Sequence, residues 1–137
     1  MPGHILVVED SPLIQRLVSV CLRDTGRPLV SAVDGPSGIA AVLDDPPDLM
    51  ILDIGLPGCD GWEVLERVRS EPATASTPVL VLTAHAQEEY RIRADRQGAD
   101  GFMTKPFEPT TLREAVAGLL GNGRSDAEHG SSRPEYR

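Results

Sequence analysis

The chain has 137 residues, a net charge of −8 at neutral pH, 40% hydrophobic and 25% charged residues, which suits one globular domain with a short appendage. The acidic excess argues against general binding to nucleic-acid phosphates, and no apolar run reaches the length of about 18 residues that a membrane span needs. The opening Met1-Pro2-Gly3-His4 has no basic-then-apolar leader pattern, and Cys21 and Cys59 form no metal-ligand cluster, so a cytoplasmic protein with free thiols is expected.

Taken in order, Ile5-Leu6-Val7-Val8 is an unbroken apolar run that predicts a buried strand, closed by Glu9-Asp10-Ser11-Pro12. Two adjacent carboxylates there repel each other unless water or a cation compensates. Ser11 and Pro12 predict the N-cap and first turn of a helix. Leu13, Leu17, Val20 and Cys21 come next at helical spacing, Cys21 on the core-facing side, with Gly26 as the stop. Val30-Ser31-Ala32-Val33 predicts a weaker strand. Asp34-Gly35-Pro36-Ser37 then turns into a second helix carrying Ile39, Ala40, Val42 and Leu43, which Pro46-Pro47 cannot continue.

Leu49-Met50-Ile51-Leu52 predicts the third strand, and Asp53 is the first polar residue off its end. Pro57 stiffens the next loop, while Gly55, Gly58 and Gly61 let it turn sharply. A carboxylate so presented serves a metal, acts as a nucleophile, or simply caps the next turn. Trp62, Val64, Leu65 and Val68 outline a third helix ending near Pro72. Thr77-Pro78-Val79-Leu80-Val81-Leu82 predicts the next strand, with Thr83-Ala84-His85-Ala86 at its end. Residues 87–97 are polar and Arg-rich, with Tyr90, Ile92 and Ala94 as their few apolar positions; they predict a thinly anchored surface helix ended by Gly98. Asp100-Gly101-Phe102-Met103-Thr104 predicts the last strand, followed by Lys105-Pro106-Phe107. A final helix starts around Pro109, with Leu112, Val116, Leu119 and Leu120 on one face and Gly121 as its stop. Residues 122–137, rich in Gly, Ser and charge without apolar periodicity, predict a disordered tail behind a domain of residues 1–121.

Strand and helix alternate five times, with crossovers that require a parallel sheet and helices on both faces, an α/β doubly wound architecture. The carboxyl edge of such a sheet collects Glu9 and Asp10, Asp53, Thr83 and Lys105 from four strands. Three carboxylates suit a hard divalent cation, Mg²⁺ if the geometry is octahedral. A hydroxyl and an ammonium converging there suit a phosphoryl group, with Asp53 as nucleophile. Of the 13 basic residues only Lys105 is a lysine. That reflects either compositional bias or a position that needs a compact ammonium.

These residues resemble a response-regulator receiver domain of two-component signalling, over about residues 5–120. The marks are Glu9-Asp10, the Asp53 loop with Pro57 and Gly61, Thr83-Ala84, and Phe102 ahead of Lys105-Pro106-Phe107. The resemblance implies the flavodoxin-like strand order 2-1-3-4-5. It implies that Asp53 accepts a phosphoryl group from a sensor histidine kinase or phosphotransfer protein. Asp10, Asp53, the Gly55 carbonyl and Glu9 through water would hold Mg²⁺. Lys105 would pair with Asp53 and then with the phosphoryl oxygens, Thr83 would move its hydroxyl to that group, and Phe102 would turn inward. The Lys105-Pro106 peptide would be cis. The implied product is a switch rather than an enzyme, catalysing only its own phosphorylation and dephosphorylation. Its output face would be the fourth helix, fifth strand and fifth helix, bearing Tyr90, Arg91, Arg93 and Arg96, or else those residues are a solvated polar face. A phosphorylation-dependent homodimer fits the resemblance; a membrane or direct nucleic-acid partner does not.

His85, two residues beyond Thr83, is either a plain loop residue or an influence on water reaching the phosphoryl group, and the bare Gly55 gives it weight. Cys59 has no basic neighbour to activate it. Trp62 beside Gly61 is expected to be partly buried. A haloacid-dehalogenase-type enzyme would want a second Asp at position 55, where Gly stands. A flavodoxin would want a phosphate loop where Glu9-Asp10 stand. A receiver-like scaffold working without phosphorylation is disfavoured by the complete set of site residues. A stand-alone receiver and the front of a larger regulator both stay open, the first slightly favoured.

Overall fold

Every apolar run becomes a strand in the computed structural model, which describes residues 3–122. The strands are β1 (Ile5–Val8), β2 (Leu29–Ala32), β3 (Leu49–Leu52), β4 (Val79–Thr83) and β5 (Gly101–Thr104). The helices are α1 (Pro12–Cys21), α2 (Gly35–Asp44), α3 (Gly61–Ser70), α4 (Glu88–Arg96) and α5 (Pro109–Asn122). The five strands pair in parallel in the order β2-β1-β3-β4-β5. Register sets up the carboxyl edge. Val8 lies beside Leu52, so Glu9 and Asp53 leave the sheet as neighbours. Thr83 lies beside Thr104, so Lys105 emerges one step beyond it.

The central strands β1, β3 and β4 are buried throughout, as unbroken apolar runs must be between two helical layers. On one face, Val18, Leu22, Leu112 and Val116 pack on Ile5, Val7, Ile51 and Leu82. On the other, Val42, Val64, Leu65, Val68 and Ala94 cover Leu6, Val8, Leu52 and Val81. Each large apolar side chain so buried stabilises the fold by about 1.5–3 kcal/mol. Helix starts are fixed by side chains: Ser11 accepts from the Ile14 N–H, and Asp34 and Asp60 form capping boxes with Ser37 and Glu63.

At the amino end of β4 and β5, the half-buried Arg69 donates to the carbonyls of Ala75, Thr77 and Gly98 and to the Asp100 carboxylate. This ties α3 to both of the turns that precede β4 and β5.

Some expectations shift. Helix α1 ends at Cys21 and a 3₁₀ turn, Arg23–Thr25, intervenes before Gly26, whose φ of 76° makes the stop. The apolar stripe Leu13, Leu17 and Val20 faces outward, 65%, 43% and 53% exposed, while Val18 and Cys21 go inward. Val18 and Cys21 pack on the sheet, and Gln15 ties the same side of α1 to the ends of β1 and β2. Strand β2 starts one residue early, at Leu29, and leaves Val33 exposed. Strand β4 starts only after Pro78, which has no N–H to give the ladder, and it includes Thr83. Gly121 does not end α5, which runs on to Asn122. Apart from that residue, the tail expected over 122–137 lies outside the described residues.

Candidate functional site

The edge ladder continues just past the strands. The Asp53 N–H donates to the Val8 carbonyl at 3.0 Å, and the Lys105 N–H to the Thr83 carbonyl at 2.8 Å. Lys105 therefore reaches back across the edge, its Nζ 2.6 Å from Glu9 Oε1 and 3.2 Å from Asp53 Oδ2. The remaining Glu9 oxygen accepts from the Ser11 N–H, and Asp53 Oδ1 accepts from the Gly55 N–H. Glu9 and Asp53 are 2% and 7% exposed, whereas Asp10 stands in solvent. One carboxylate oxygen from each of Glu9, Asp10 and Asp53 lies within 4.8 Å of the others. Burial pushes the Glu9 carboxyl above its usual range, and the bonds from Lys105 and Ser11 offset that only in part. Burial also works to lower Lys105, but Glu9 and Asp53 outweigh it and hold the ammonium above its ordinary range. One fixed cation thus bridges two of the three carboxylates. This all-oxygen, partly wet donor set fits a hard divalent cation.

The loop after Asp53 depends on Gly61. A Cβ there would stand 2.5 Å from the Asp53 carbonyl oxygen and 2.6 Å from Ile54 Cα, distances no side chain tolerates. Gly55 enters the site through its N–H. A Cβ on Gly55 would meet only His85 Nε2, at 3.8 Å.

Thr83 is fully buried, and its Oγ1 accepts from the His85 N–H at 3.2 Å. Phe102 is 6% exposed and lies in the core cluster that contains Trp62 and against which Tyr90 packs. The Lys105-Pro106 peptide is cis.

A ring ladder leads away from the site. His85 lies 5.0 Å from Tyr90, Tyr90 lies 6.1 Å from Trp62 with near-parallel planes, and the Arg93 guanidinium sits 4.4 Å above Trp62. Tyr90 and Arg93 therefore contact α3 through Trp62, Arg91 pairs with Glu88, and Arg93 and Arg96 are both exposed. Trp62 is buried rather than half-buried. Burial and the nearby Glu63, Asp60 and Asp34 push the Cys59 thiol up, which suits inert packing. The structure adds two contributors that sequence reasoning passed over, Gln15 and the ladder. Tyr90, the one aromatic on a polar helix, was the available signal for the second.

The family model described as the response regulator receiver domain matches residues 5–117. Over 117 residues the chain is 41% identical to the DNA-binding dual master transcriptional regulator RpaA of Synechocystis, covering 85% of this chain and 48% of the relative. It is 30% identical to protein PilH of Pseudomonas aeruginosa, covering 86% of this chain and 98% of that protein. The chain thus spans about half the length of RpaA and nearly all of PilH. Among solved structures it resembles the receiver domain of a Pseudomonas aeruginosa sensor histidine kinase with a magnesium ion coordinated in the active-site cleft. That match has a TM-score of 0.80 and 26% identity over 88% of this chain and 99% of the other.

Proposed function

The chain belongs to the response-regulator receiver domain family, and from that premise we propose that it is a phosphoacceptor switch whose acceptor is Asp53. The observation that carries the reading is Lys105 held between Glu9 and Asp53 with Asp10 within ligand reach, all at one sheet edge. Asp53 Oδ attacks the phosphorus of a phosphohistidine on a kinase or phosphotransfer protein. The new O–P bond forms as the N–P bond breaks, and the electron pair stays on the imidazole nitrogen.

Glu9, Asp10 and Asp53, with the Gly55 carbonyl, would hold Mg²⁺, which supplies neutralisation of the phosphoryl charge. Lys105 then turns from the carboxylates to the phosphoryl oxygens. Thr83 leaves its bond with the His85 N–H and donates its hydroxyl to the same group. An added charge of about −1.5 to −2 at this point reaches α4 through His85 and Tyr90, and so changes a partner-binding surface. The protein acts as a catalyst only on its own phosphorylation and dephosphorylation, works in the cytoplasm, and reaches its target by protein contact. No helix among the described residues is long and apolar enough to cross a membrane.

The test is intact mass after incubation with Mg²⁺ and acetyl phosphate. We expect one labile phosphoryl adduct, absent without Mg²⁺ and absent in Asp53→Asn. A folded protein that binds Mg²⁺ yet gains no adduct, from acetyl phosphate or from any phosphohistidine donor, overturns the reading in favour of a scaffold that works without phosphorylation.

A further inference from the structure

Gln15, in the first turns of α1, spends its whole side-chain amide on the ends of two strands. Its Nε2 lies 3.0 Å from the Val7 carbonyl oxygen, 3.0 Å from that of Glu9 and 3.2 Å from that of Ala32. Three carbonyls can only accept, so they fix the amide with its nitrogen toward the strands, and its Oε1 is left to accept from the Ser31 hydroxyl at 2.9 Å. Two N–H bonds are thus shared among three carbonyls at the point where β1 runs out of partners.

The Glu9 carbonyl is half of the peptide joining Glu9 to Asp10. The Glu9 N–H is already held by the Ala32 carbonyl at 2.9 Å. With Gln15 on the carbonyl side, the backbone of Glu9 is fixed at both ends. Two carboxylates hang from it, one bonded to Lys105 and both within 4.8 Å of an Asp53 oxygen. Mutual repulsion among the three works to spread them. A ligand set under such repulsion stays assembled only if its backbone is anchored. Packing does not explain the bond, because Val18, Cys21 and Leu22 already seat α1 on the sheet.

We infer that Gln15 is a positioning residue for the acidic pair: by holding the Glu9–Asp10 peptide it keeps both carboxylates aimed at the divalent-cation site. This rests on the phosphoacceptor reading and deepens it. Gln15 touches neither the cation nor the phosphoryl group.

The experiment is a calorimetric titration with Mg²⁺ alone on wild type, Gln15→Met and Arg69→Met, each checked for folding by thermal unfolding without metal. Gln15→Met keeps the length of the side chain and removes the amide. Its Mg²⁺ dissociation constant should rise about tenfold, the low end for partners that support metal ligands. Arg69→Met, which loosens the opposite end of the sheet, should unfold at lower temperature and leave the constant unchanged. A folded Gln15→Met with the wild-type constant overturns the inference, whatever its stability. A wild type that binds no Mg²⁺ overturns the phosphoacceptor reading itself, so the two failures are distinguishable. Should Gln15→Met not fold, Gln15→Ala replaces it: it removes the same amide with the side chain most favourable to a helix, and weaker Mg²⁺ binding is expected. An unchanged constant in a folded Gln15→Ala then overturns the inference.

Discussion

Lys105 is bonded more closely to Glu9, at 2.6 Å, than to Asp53, the proposed phosphoacceptor, at 3.2 Å. Before any phosphoryl group arrives, the ammonium is parked on the neighbouring acid and leaves Asp53 the looser partner. Removing it in Lys105→Met strands two carboxylates that are 2% and 7% exposed. Loss of one partner from a buried charge cluster should cost about 3 kcal/mol at neutral pH without metal. The pH dependence comes from the raised Glu9 carboxyl. In the variant, acid protonates Glu9 and removes the unpaired charge, so the deficit shrinks as pH falls toward and below the ordinary value of 4.5. In the wild type the Lys105 contribution is complete below 10.5 and is lost as pH rises through its higher folded value. Denaturant unfolding of both proteins at acid, neutral and alkaline pH checks this, and Mg²⁺ should recover part of the neutral-pH deficit.

Water access to the acceptor should be governed by His85. Its Nε2 occupies the side of the site that Gly55 leaves open, and its ring is braced by Tyr90. In His85→Ala that cover is gone, so the aspartyl phosphate should hydrolyse faster, monitored as decay of the phosphorylated mass. Tyr90→Ala should move the decay the same way to a smaller extent, because it removes the brace and leaves the imidazole. Decay equal to wild type in both variants removes this role from the ladder.

The far end of the sheet offers a separate pH signal. Asp48 accepts from Arg27 Nε at 2.9 Å and from the Gly3 N–H at 2.8 Å. The Arg27 guanidinium above all holds its carboxyl below the ordinary value of 3.8. A depressed carboxyl contributes stability above its unfolded value and loses it as pH falls through the folded one. Asp48→Asn should therefore cost up to about 1 kcal/mol at neutral pH, since the pair is partly exposed. The gap from wild type should close below pH 3.8 and narrow in high salt. Urea unfolding of the two proteins across that range measures it.

The strands and the site were legible in the sequence because both depend on short-range patterns. Runs such as Leu49-Met50-Ile51-Leu52 cannot be anything but buried, and a parallel register then delivers Asp53, Thr83 and Lys105 to one edge without further information. The features that stayed hidden depend on rotation and reach. Leu13, Leu17 and Val20 mark a helix correctly, but their spacing is equally regular whether that stripe faces the sheet or the solvent. Val18 and Cys21 make the contact with the sheet, and Gln15, a polar residue that periodicity ignores, adds its tie on the same side. The direction of Arg93 was hidden for a similar reason. An arginine on a polar helix reads as solvated until the position of Trp62 on the neighbouring helix is known.

Gly61 places Asp53 through its lack of a side chain. Its N–H donates to the Ile54 carbonyl at 2.7 Å, closing the loop tightly onto the end of β3 just where α3 begins. A Cβ at this position would meet the Asp53 carbonyl oxygen at 2.5 Å and Ile54 Cα at 2.6 Å, both backbone atoms that no rotamer change relieves. Gly61→Ala must therefore push the start of α3 and Asp53 apart. Overpacking of this kind costs about 1–3 kcal/mol, and here the displacement falls on the residue proposed to attack phosphorus. Gly55→Ala is the matched control. Its Cβ finds only His85 Nε2 at 3.8 Å, so stability should stay within about 0.5 kcal/mol of wild type. Urea unfolding together with the initial rate of acetyl-phosphate labelling separates the two. Gly61→Ala should lose stability and also label more slowly at saturating Mg²⁺, whereas Gly55→Ala should unfold with the wild type. If Gly61→Ala labels at the wild-type rate, Asp53 is held by the β1–β3 ladder alone and the loop has no part in aiming it.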